Sequence, residues 1–186
     1  MTNNTNDFLP QGYEAPKSQG QNYVKLEKGE NKIRILSKPI IGWLDWKDNK
    51  PLRFPMNEKP TKPIDPDKPI KHFWAFVVWS YNTNSIAIME ITQATIQHAI
   101  QALSKDQDWG NPFRYDIKII KSGEKLDTEY TVNPVPHKPV TAEVQNAFML
   151  KGEIKLTNLF SGGDPFENAR PVEAVKEVEP LSDMPF

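Results

Sequence analysis

The chain has 186 residues, room for one modest domain with tails, and combines a formal net charge of −1 with 17 prolines and no cysteine. The missing cysteines exclude disulfides, thiol catalysis, thiolate-bound zinc and iron–sulfur clusters, and three histidines leave little for a His-based metal site. No apolar run reaches the ~18 residues of a membrane-spanning helix, and Met1–Asp7 has neither the basic nor the apolar part of a secretory signal.

The pooled charge conceals a division. Residues 1–22 sum to −1, residues 23–160 to +4 (20 basic, 16 acidic) and residues 161–186 to −4 (2 basic, 6 acidic). Within the middle block, residues 23–71 hold 12 basic against 7 acidic side chains. A weakly basic body therefore carries an acidic tail.

Residues 1–22, rich in Asn, Gln, Gly, Ser and Pro, are expected to be disordered. From Asn31 to Ser37, Ile33 and Ile35 alternate with Lys32 and Arg34, the pattern of a half-buried strand. It resumes over Ile40–Trp43 after a bend at Pro39. Residues 47–70 carry six prolines among six Lys and Arg, which predicts a long basic loop, since proline blocks helices and central strands. Residues 70–81 are the strongest strand, and Asn82-Thr83-Asn84 turns the chain into a partner, Ser85–Ile91. Ala94, Ile96, Ala99, Ile100 and Leu103 then take helical spacing, with Thr92 as the expected N-cap. Two further strands, Phe113–Lys121 and Glu129–Val135, are joined by a turn at Ser122-Gly123. Residues 141–150 predict a short helix, and Ile154–Phe160 is ambiguous. After Ser161 a polar tail is expected. A mainly β domain over 23–160 follows, with five strands and one helix between the third and fourth. That is the order of the OB-fold, a small partly open barrel.

Catalytic motifs are missing. There is no P-loop, Gly-rich dinucleotide fingerprint, nucleophile elbow or His-Glu-x-x-His pair. The carboxylate pairs Asp65/Asp67 and Asp106/Asp108 sit among loop residues, where such groups cap turns. A non-enzymatic chain without cofactor is expected.

The positive signal is cations interleaved with aromatics. Single-stranded nucleic acid is held by cations along its phosphates and by aromatic faces stacked on bases, a combination with little base preference. The candidate contacts are Arg34, Trp43, Trp46, Lys47, Lys50, Arg53, Phe54, Lys59, Lys62, Lys71, Trp74, Phe76 and Trp79. Strand 70–81 is apolar on both faces. His72, Trp74, Phe76 and Val78 share one face; Phe73, Ala75, Val77, Trp79 and Tyr81 share the other. One face must fill a core, and the other is either covered by residues 141–160 or open to ligand. In an OB-fold the loops at 47–70 and Gly123–Asp127 would border the groove.

The last residues, Asp183-Met184-Pro185-Phe186, have the form of a peptide ligand, with an apolar terminal ring, a free carboxylate and flanking acid. They resemble the tip of bacterial and phage single-stranded DNA-binding proteins, which end Asp-(Ile/Leu)-Pro-Phe. The body is similar to single-stranded DNA-binding proteins of tailed phages over Lys32–Ser37, Lys71–Trp79, Glu90–Gln93, Asp108–Gly110 with Tyr115–Ile117, and Asp127–Tyr130 with Pro136–Pro139. The resemblance implies an OB-fold and binding of single-stranded DNA in replication, recombination or repair, in the cytoplasm of a bacterial host. It also implies recruitment of replication or recombination proteins by the tip. The residues alone leave open an OB-fold adaptor for replication proteins or an RNA-binding OB domain. A second acidic Pro-Phe, Asp164-Pro165-Phe166, is either a duplicate docking element or a plug for the barrel.

Overall fold

The computed structural model describes residues 22–167. Most of the two predicted tails, residues 1–21 and 168–186, lies outside that range. The elements are β1 (Gly29–Ile35), β2 (Ile40–Lys47), β3 (Lys50–Pro55), β4 (Lys71–Ser80), β5 (Ser85–Ile91), α1 (Ala94–Lys105), β6 (Asp116–Ser122), β7 (Glu129–Pro134) and α2 (Ala142–Leu150). A 3₁₀ turn over Leu156–Ser161 follows.

All strand pairs are antiparallel, and β4 is the hub. β5 runs along one edge of β4, with Trp74 opposite Ile91 and Ser80 opposite Ser85. β2 and β1 divide the other edge, β2 taking Lys71–Ala75 and β1 taking Val78–Ser80. The outer side of β1 carries β6, which in turn carries β7.

Seven strands therefore stand where five were expected, for two local reasons. First, the bend at Ser37-Lys38-Pro39 divides the predicted first strand. Proline has no N–H to continue a ladder. Instead the Ser37 hydroxyl accepts the Val77 N–H at 2.9 Å, so the backbone of β4 stays satisfied across the break.

Second, the predicted basic loop contains a strand. Asp48 and Asn49 both have positive φ, 50° and 61°, which makes the tight two-residue hairpin turn that such residues favour. β3 then pairs with β2 from Lys50 opposite Lys47 to Pro55 opposite Gly42. Its prolines are tolerated because it is an edge strand. Gly42 is required at that crossing, since a Cβ there would be driven into the Phe54 carbonyl oxygen.

Both faces of β4 are covered over most of its length. Phe73, Ala75, Val77 and Trp79 pack with Leu44, Val144 of α2, Leu156, Leu159 and Phe166. Phe76 and Val78 pack on the other side with Ile33, Ile96 and Ile100 of α1, and Ile117. Phe166 is buried in the first of these clusters, so Asp164-Pro165-Phe166 serves as a plug. The packed chain thus continues past residue 160.

Gln93, not Thr92, is the N-cap of α1, and its side chain makes no cap bond. α1 is held by tertiary contacts instead. Gln97 is buried and donates to the carbonyls of Ile91 (2.9 Å) and His72 (3.2 Å). Thr141 caps α2 by accepting from the Val144 N–H.

Candidate nucleic-acid interface

Strand alternation sorts the candidate residues onto two faces. Residues directly opposite across a ladder share a face, so Trp43 joins Phe54 of β3 and His72 of β4, and Ile41 joins Trp74. This aromatic row is open to solvent. Trp43, Phe54, His72 and Trp74 are half-buried, while Ile41 is 40% and the nearby Met56 54% exposed. Large apolar residues left this exposed together mark a contact surface.

The rings are held in place. His72 bridges two elements: its Nδ1 lies 2.9 Å from the Gly42 carbonyl, and its Nε2 accepts the Trp74 indole N–H at 3.1 Å. That pair of bonds requires a neutral imidazole with its proton on Nδ1. The Trp43 and His72 ring centroids are 5.1 Å apart. The Trp43 indole donates to the Met56 carbonyl at 3.1 Å, and the Lys59 ammonium sits 4.2 Å above the Trp43 ring. The buried Asp45 accepts the Ile64 N–H at 3.1 Å, tying the Pro-rich segment after β3 back to β2.

The cations divide into free and spent. Lys38, Lys47, Lys50, Lys59 and Lys62 are exposed and make no ion pair among the described residues. Lys47 and Lys50 share the aromatic face at the hairpin tip. Arg53 is different. It faces away from the row and makes a two-pronged pair with Glu90 at 2.6 and 3.2 Å, which anchors the hairpin to β5.

Trp46 and Lys71 also leave the row. Trp46 is three residues from Trp43, so it points through the opposite face, where it packs on the core beside Lys68 and Lys71. The two tryptophans grouped by sequence therefore address different sides of the sheet.

Arg34, Phe76 and Trp79 are buried, at 1%, 2% and 4% exposure, so none of them stands in the open row. The Arg34 Nε donates to Asp116 at 2.6 Å, and its Nη1 donates to the Lys138 carbonyl at 3.1 Å. Asp116 is fully buried and also meets Lys32 (3.1 Å), Lys138 (3.0 Å) and the Tyr81 hydroxyl (3.1 Å). Burial alone would raise its carboxyl pKa. The Lys138, Arg34 and Lys32 contacts outweigh that and hold it below the ordinary carboxylate value.

The Gly123–Asp127 loop is not brought to the row. Register places it at the Gly29 end of β1, where Glu124 pairs with Lys28. The acidic pairs are turn caps: Asp106 accepts from the N–H groups of Asp108 and Trp109, and Asp65 from that of Asp67. The tip residues Asp183, Met184, Pro185 and Phe186 lie outside the described residues.

Sequence reasoning missed Ile41, Met56 and the His72 bridge. The available signal was the pair Asp48-Asn49, which announces the hairpin that lifts Phe54 beside Trp43.

No family model matches the chain, and no solved structure matches it. Among curated proteins, the chain is similar to one of Escherichia phage T5 described as a probable ssDNA-binding protein. They are 30% identical over a 142-residue alignment covering 61% of this chain. The chain spans about half the length of that relative, 54%, and the likeness is to a phage protein of that description.

Proposed function

We propose that this chain is a non-enzymatic binder of single-stranded DNA with little base preference, built on an OB-type barrel. The reading rests on one observation: the open row of Trp43, Phe54, His72 and Trp74, flanked by unpaired lysines. Successive bases stack on such rings at about 1–3 kcal/mol each, and the lysines track the phosphates. The likeness to the phage T5 protein supports it.

In OB terms, β1 and β2 form the bent first strand, and β4, β5, β6 and β7 the second to fifth, with α1 between the third and fourth. The β2–β3 hairpin is an elaboration of the first connecting loop. It widens the surface beside the second strand, where OB domains hold their ligands. With Arg34, Phe76 and Trp79 buried, the open row lies over the first residues of β4 and the hairpin. The acidic tip Asp183–Phe186 serves recruitment of replication or recombination proteins, a reading that rests on the sequence alone.

Titration with poly-dT at low salt tests the binding. Trp43 and Trp74 should be quenched, and log affinity should fall linearly with log salt, at a slope of about −0.7 per phosphate neutralised. A chain that neither quenches nor binds at low salt overturns the reading. Competition between dT and rU oligomers separates DNA from RNA, because only RNA offers the 2′-OH.

A further inference from the structure

A cavity of about 450 Å³ opens where the aromatic row runs under the end of α1. That volume lies in the ~300–1,000 Å³ range of small-ligand sites. Its walls are apolar: Ile35, Trp74, Phe76, Ile100, Pro112 and Phe113. Its rim carries Lys38 from the bend between β1 and β2 and Lys105 from the last turn of α1. Both lysines are exposed and make no ion pair among the described residues.

Trp74 belongs to both places. Its ring lines this cavity, and it stands opposite Ile41 in the row. The cavity and the surface proposed to hold the strand therefore share Trp74. Phe113 gives a second aromatic wall. It is set by the 3₁₀ turn Pro112–Arg114, whose start is fixed by Asn111 Oδ1 accepting the Phe113 N–H at 3.0 Å. The amides of Gln101 and Asn111 at the rim hold both donors and acceptors, which any base edge can use.

We infer that this cavity takes one nucleobase turned out of the bound strand, its ring between Trp74 and Phe113 and its flanking phosphates on Lys38 and Lys105. The inference rests on the single-stranded DNA reading above and adds to it a defined end for the stacked row. Apolar walls admit a base and reject the phosphates, and the free cations at the mouth match the charge that must stay outside. Extruding a base from a single strand costs little, since no pairing partner is lost.

Ser104 is exposed at the mouth of the cavity, so Ser104→Trp blocks it from the surface. The full chain is titrated by anisotropy with a labelled oligo-dT of about twelve nucleotides, close to the footprint of one OB domain. The expected result is about tenfold weaker binding for S104W, the scale of one lost stacked base, with an unchanged thermal melt and unchanged binding by Ser104→Ala. Phe113→Leu, which keeps the wall apolar but removes its ring, should weaken binding in the same direction. It decides the matter if S104W melts early. Binding by the wild type with S104W and F113L both within about twofold of it overturns the cavity inference and leaves the DNA reading standing. Failure of the wild type to bind overturns the DNA reading itself.

Discussion

His72 and Trp74 near the start of β4, and Phe76 and Trp79 toward its end, are ring residues of one ten-residue strand. Their surroundings differ. α1 closes over Phe76, and α2 with the chain to Phe166 belongs to the cluster that holds Trp79. Past Trp74 the neighbour on the first side is the β2–β3 hairpin, which lies beside β4 and does not cover it. On the face that carries Trp74 and Phe76, rings of one strand are thus half-buried at one end and core at the other. What separates the roles is which later segment reaches the face, a long-range fact that strand composition does not carry.

Removing a ring from each half tests that division. Trp79→Ala should cost about 3–5 kcal/mol of stability, the usual loss for a large buried aromatic, read as a lowered denaturant midpoint. Asp116→Asn should be of similar size, about 3–5 kcal/mol, because it leaves Arg34 buried and uncompensated beside two lysines. The same carboxylate predicts an acid limb. Its folded pKa lies below its ordinary value of 3.8, so the unfolded chain takes the proton first. The stabilisation is complete above about pH 5 and is lost as pH falls through the depressed folded value. Melting temperatures followed downward from neutral pH should show this drop, and Asp116→Asn should flatten it.

Trp74→Ala should act on the other quantity, weakening oligo-dT binding by about 1–3 kcal/mol while moving the denaturant midpoint little. A large stability loss there with unchanged affinity would put Trp74 in the core and erase the contrast. The smallest effect is expected at Lys59. Lys59→Ala should reduce the salt slope of binding by about 0.7, one phosphate contact in single-stranded DNA. Arg53→Ala should leave that slope unchanged, since its guanidinium is already spent on Glu90.

Local patterns were legible in the sequence. Alternation located β1, β4, β5, β6 and β7, and helical spacing located α1 and α2. Of the candidate contacts, Trp43, Phe54, Trp74 and Lys59 lie together on one face of the sheet. The departures at Arg34 and Arg53 share one cause. Arg34 alternates with Ile33 and Ile35 and reads as a solvated cation, yet Asp116, 82 residues later, buries it. Arg53 reads as free until Glu90, 37 residues later, arrives. Trp46 is close to Trp43 in the chain, yet period 2 puts residues three apart on opposite faces. β3 is masked by its prolines, although Pro51 and Pro55 both fall on the outward parity of the strand.

That parity has a consequence for assembly. The Lys47–Lys50 pair closes a two-residue hairpin, so the backbone groups of Lys50, Leu52 and Phe54 point toward β2. Those of Pro51, Arg53 and Pro55 point outward, along the free side of β3. Two of the three are prolines and have no N–H, so this border offers a single backbone donor to any approaching strand. Extension of the sheet by a second chain is disfavoured across such a border. Copies of the chain brought close together are thereby hindered from joining along this border.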